Sequence, residues 1–63
     1  MTAAQLHDEL LAIWSVARAE ANLAYEAWCE LPGPDAYAVY RAAEDRADAA
    51  EQALVVAAPL VAA

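Results

Sequence analysis

The side chains that could do chemistry are few and far apart. His7, Ser15 and Cys29 are each the only residue of their type in the 63-residue chain. Nucleophilic catalysis needs a nucleophile, a base and a group that orients the base. His7 and Cys29 sit near opposite ends of one predicted helix, about 33 Å apart at 1.5 Å per residue, so they do not meet within a chain. Ser15 has no base at hand. A carboxylate-bridged metal site in a helical bundle wants several inward Glu residues and Glu-x-x-His repeats. His7 has Asp8 and Glu9 beside it but no Glu three residues before it. Gly33 is the only glycine, which rules out a glycine-rich phosphate loop. These patterns predict no enzyme activity, no metal and no cofactor.

Two other constellations carry more information. Glu20 and Arg46 are charges at spacings where apolar residues are expected, and Tyr25, Trp28, Tyr37 and Tyr40 bracket a single turn. Such an aromatic group could line a pocket for a flat apolar or cationic ligand. Rings at helical spacing beside a turn more often fill a core.

The net charge is −7, from ten acids against Arg18, Arg41 and Arg46, with no lysine. Phosphate backbones are bound through Lys and Arg, so no nucleic-acid partner is expected. An acidic surface keeps the chain soluble or docks it onto a basic protein. One cysteine allows no internal disulfide and too few ligands for a structural zinc, so Cys29 reads as a reduced thiol. The first residues show neither the basic region nor the apolar run of a secretory leader. Residues 53–63 are wholly apolar, but a spanning helix needs about 20 such residues. The expected setting is cytoplasmic, with no membrane insertion.

These residues must be positioned by helices. Twenty of the 63 residues are alanine. Thr2 and Gln5 have the spacing of a capping box, in which each side chain takes the other's backbone amide. No Gly or Pro follows until Pro32, so a first helix is predicted over about 2–30. Pro32 disfavours helical backbone at Leu31, and Gly33 offers a permissive turn position within 31–34. A second helix starts with Pro34 as its first residue or with Asp35 as its cap. It should stop near Ala57, because Pro59 restricts Ala58, which leaves an apolar tail at 58–63. So short a connection makes the helices antiparallel. The fold class is therefore all-α: one domain over 1–63, an antiparallel two-helix hairpin.

Heptads written along both helices put Ala3, Leu10, Ala17, Ala24 and Leu31, then Ala36, Ala43, Ala50 and Ala57, at a. They put Leu6, Ile13, Glu20 and Ala27, then Val39, Arg46, Ala53 and Leu60, at d. Folding about Gly33 sets Glu20 opposite Arg46, as a buried or half-buried pair that sets the register. Trp14, Trp28, Tyr40, Leu54 and Val61 fall beside this seam, where a lone hairpin would leave them wet. Exposed apolar stripes usually mark interfaces. The expectation is a homodimer closing a four-helix bundle through these five residues, acting as a non-enzymatic interaction or assembly module. The alternatives are a binder of a small apolar or aromatic ligand and an acidic regulator of a basic protein.

Overall fold

The computed structural model describes the backbone of residues 1–62 and the side chains of residues 1–59. Two helices, α1 (Ala3–Glu30) and α2 (Pro34–Ala62), pack against each other as an antiparallel hairpin 46 × 14 × 14 Å in extent. α1 begins where its local chemistry places it. The Gln5 amide donates to Thr2 Oγ1 at 3.1 Å, and the Thr2 amide donates to Gln5 Oε1 at 2.7 Å. The Thr2 carbonyl accepts from the Leu6 amide at 3.0 Å, the first bond of the helix ladder. Asp8 and Glu9 lie past the first turn, which holds no acid.

The turn uses its residues differently from expectation. Gly33 does not adopt a positive φ. It serves as the residue before the helix, its carbonyl accepting from the Tyr37 amide at 3.0 Å. Pro34 takes the first helical position, where a missing amide costs nothing, and Asp35 lies in the first turn, where the helix dipole favours an acid.

α2 also runs further than predicted. Pro59 is inside the helix, which continues through Ala62, so the expected stop near Ala57 is corrected, as is the separate tail over 58–62; Ala63 lies outside the described residues. A proline so near a helix end removes only the ladder bond to the Val55 carbonyl. Val55 and Val56 are exposed, so water can satisfy that carbonyl. No helix among the described residues is long and apolar enough to cross a membrane.

The core is a strip of methyl groups. Ala17, Ala21, Ala43 and Ala47 form it, with Ala24 and Ala50 packed alongside and Ala57 buried further down α2. Among the described residues no large side chain is fully buried. Five buried alanine methyls contribute on the order of 4 kcal/mol at about 0.8 kcal/mol each, which is thin for a chain that buries only about 60% of its unfolded surface.

Candidate functional site

The inward positions recur at alternating steps of three and four residues. In α1 they are Leu10, Trp14, Ala17, Ala21, Ala24 and Trp28; in α2 they are Ala36, Tyr40, Ala43, Ala47, Ala50, Leu54 and Ala57. The seam therefore pairs the predicted a positions with the residues just after the predicted d positions. Trp14, Trp28, Tyr40 and Leu54 are half-buried between the two helices of a single chain. The expectation that a lone hairpin leaves them wet is corrected. Their bulk decides the matter, since rings bury far more area than Ala27 or Ala53. Val61 and Leu60 lie outside the residues whose side chains are described.

Ile13, Glu20, Ala27, Val39 and Arg46 of the predicted d set consequently rotate out to one flank, while Leu6 and Ala53 stay half-buried. Ile13 and Val39 are exposed there. Glu20 and Arg46 meet at that flank, with Arg46 Nη2 3.8 Å from Glu20 Oε2, but their side chains are 55% and 60% exposed. Burial of this pair within one hairpin is thus corrected; it is a surface contact in the single chain. Exposed ion pairs are worth about 0–1 kcal/mol.

A second cross-helix pair, not anticipated from the sequence, lies on the other flank. Arg18 Nη2 donates to Glu44 Oε1, and both side chains are partly buried. The Glu44 hydrogen bond holds the Arg18 guanidinium above its ordinary pKa, with further support from the charges of Glu44 and Asp48. Its signal was available: Arg18 follows Ala17 and Glu44 follows Ala43, so each stands one step past a seam alanine on the same side. Arg41 reaches Asp45 one turn along α2, Nη2 to Oδ1 at 3.7 Å.

The four aromatic residues at the turn come together. Trp28 and Tyr40 lie nearly parallel, 5.6 Å between centroids, and Trp28 meets Tyr37 at 5.2 Å. Tyr25 stands edge-on to Tyr40 at 5.4 Å and to Trp28 at 6.0 Å. These offset and edge-to-face geometries are the favoured ones for aromatic pairs. The rings occupy one another's faces and clamp the turn end of the hairpin. The Tyr25 phenol is held above its usual pKa, first by the Cys29 thiol one turn away, then by partial desolvation and Tyr40.

The reactive side chains do not assemble. The Ser15 hydroxyl donates to the Leu11 carbonyl at 2.9 Å, the common back-bond of a serine inside a helix. Cys29 is exposed near the turn, while His7 lies near the other end of α1 with Asp8 Oδ1 4.0 Å from its Nδ1. Among the described residues, no three His, Cys, Asp or Glu side chains gather as a metal ion requires.

What the arrangement does offer is surface. Ile13, Val16 and Ala12 line a shallow groove with Glu20 and Arg46. Leu23 and Val56 are also exposed. No protein-family model, no curated protein and no solved structure matches the chain.

Proposed function

We propose that this chain is a self-associating helical module, a non-enzymatic hairpin whose work is to join copies of itself into a four-helix bundle. The observation that carries the reading is the mismatch between inside and outside. Among the described residues the buried positions are all alanines, while Ile13, Val16, Leu23, Val39 and Val56 each keep 57–73% of their surface exposed. A small domain that leaves these five branched aliphatic side chains outside and its methyls inside has placed strong apolar surface where a partner can reach it. A third apolar position per heptad, beyond the seam pair, is also what distinguishes a bundle helix from a simple two-helix seam. The exposed Cys29 fits a reducing, cytoplasmic setting for such a module.

Mass in solution tests the reading. Light scattering across micromolar concentrations is expected to give a dimer. A helical monomer throughout that range would refute it.

A further inference from the structure

The two flanks of the hairpin differ in chemistry. One carries Asp8, Glu44, Asp48 and Glu51 against Arg18 and Arg41. Two copies meeting there would press acid against acid. Whereas this first flank exposes only Leu11 and Val55 of the described branched aliphatic residues beside its charges, the other flank carries Ile13, Val16, Leu23, Val39 and Val56 and, midway along it, the charge pair Glu20–Arg46. Its remaining acids, Glu9 and Glu30, lie towards the two ends, where they can stay in water.

We propose that a second copy of the chain covers this aliphatic flank about a two-fold axis parallel to the hairpin's long axis, so that both turns lie at the same end. This rests on the assembly reading above and specifies its interface. The charge pair selects the orientation. With the axis along the hairpin, α1 of one copy lies over α2 of the other at the same level, and Glu20 faces the partner's Arg46 twice. With the axis across the hairpin at that level, Glu20 would face Glu20 and Arg46 would face Arg46, which charge complementarity rejects. Size complementarity agrees. At matched levels Ile13 falls over the partner's Ala53, Val16 over the partner's Ala49, Leu23 over the partner's Ala42 and Val39 over the partner's Ala27. Four of the five bulky residues thus meet a methyl, so the layers can interdigitate; Val56 falls near the partner's Glu9, at the rim of the face. The area suffices: a face of a hairpin 46 × 14 Å in extent offers roughly 640 Å² per copy, about 1,300 Å² in all, against the roughly 1,000 Å² expected of a specific interface.

The test mixes two charge-reversed chains of different mass. Glu20→Arg makes the centre of the face wholly positive, and Arg46→Glu makes it wholly negative. Each alone is expected to dimerise about tenfold or more weakly than the parent chain. Mixed in equal amounts, they are expected to give heterodimer well in excess of a random mixture by native mass spectrometry. Circular dichroism confirms that each variant still forms the hairpin. A second pair of variants serves if either charge-reversed chain unfolds: Leu23→Lys should break the dimer, while Val55→Lys on the opposite flank should leave it intact. A parent chain that is monomeric would overturn the assembly reading itself. A parent dimer indifferent to Glu20→Arg, Arg46→Glu and Leu23→Lys, or broken by Val55→Lys alone, would overturn this interface and leave self-association standing. A dimer broken by Leu23→Lys but as tight in both charge-reversed chains as in the parent would overturn the two-fold orientation, because with the axis across the hairpin the parent already sets Glu20 on Glu20. A random mixture of the two charge-reversed chains would overturn the central place of the charge pair in this interface.

Discussion

At the scale of the residue, alanine does two opposed things in this hairpin. Its lack of a flexible side chain makes it the strongest helix former, and its small size lets the two backbones approach closely. The same smallness leaves little apolar area to bury. Ala21 is wholly enclosed, and Ala43 and Ala47 are nearly so. Close packing means that a larger side chain there must push the helices apart. Ala21→Leu is therefore expected to destabilise the hairpin by about 1–3 kcal/mol despite its added hydrophobicity, measured as a lower urea midpoint. The control is Ala19→Leu at an exposed position, expected to change stability by less than about 0.5 kcal/mol. Equal effects at 19 and 21 would mean that the seam is loose enough to accept bulk. Charged residues follow a similar logic of position. Arg18 and Glu44 are partly buried on one flank, while Glu20 and Arg46 are open on the other; the same pair chemistry is structural in the first case and free to engage a partner in the second.

At the scale of the element, the ends of the helices follow rules local enough to be read from a few neighbouring residues. Thr2 and Gln5 cap α1 as their spacing dictates. The turn shows where improvement is available. Gly33 precedes Pro34, has no positive φ, and a Cβ added there would meet nothing within 4 Å. Its flexibility is thus unused in the folded chain and only enlarges the unfolded ensemble. Gly33→Ser should supply a capping hydroxyl and reduce that ensemble, raising stability by about 0.5–1 kcal/mol, seen as a higher melting temperature at unchanged helicity. A fall would mean that the turn does need glycine. The hairpin was legible in the sequence because prolines and caps act over three or four residues. The seam was less so. With alanine at so many positions, the a/d pairing and the pairing one step further round are almost equally apolar, and hydrophobic pattern alone does not separate them. Trp14, Trp28, Tyr40 and Leu54 separate them by volume, since only one rotation gives those side chains shelter. That rotation moved Glu20 and Arg46 out of the seam while keeping them level, because sequence level depends on the turn and facing depends on packing. Pro59 departs from its sequence expectation for a related reason: the cost of a proline is large in the middle of a helix and small where one solvated carbonyl is all that loses a partner.

At the scale of the whole molecule, two long-range terms compete, and their different reach makes them separable. Covering the aliphatic flank favours association through contact. The net charge opposes it, because each chain carries −7 and a pair carries twice that, −14. Contact between apolar side chains is indifferent to moderate salt. Repulsion among acids spread over a 46 Å hairpin is not, since the screening length shrinks from about 30 Å at 0.01 M to about 8 Å at 0.15 M salt. The two crossed Glu20–Arg46 contacts would also be screened if exposed, but a second copy shields them from water and ions. The repulsive term therefore loses more than the attractive one. Adding salt over that range is expected to tighten the dimer and raise the melting temperature. At fixed salt, melting temperature should also rise with chain concentration, because the folded state is then held by mass action. In the Leu23→Lys chain the concentration dependence should vanish. A parent chain whose melting temperature falls with added salt would show instead that attraction between charges, rather than the aliphatic flank, dominates its stability.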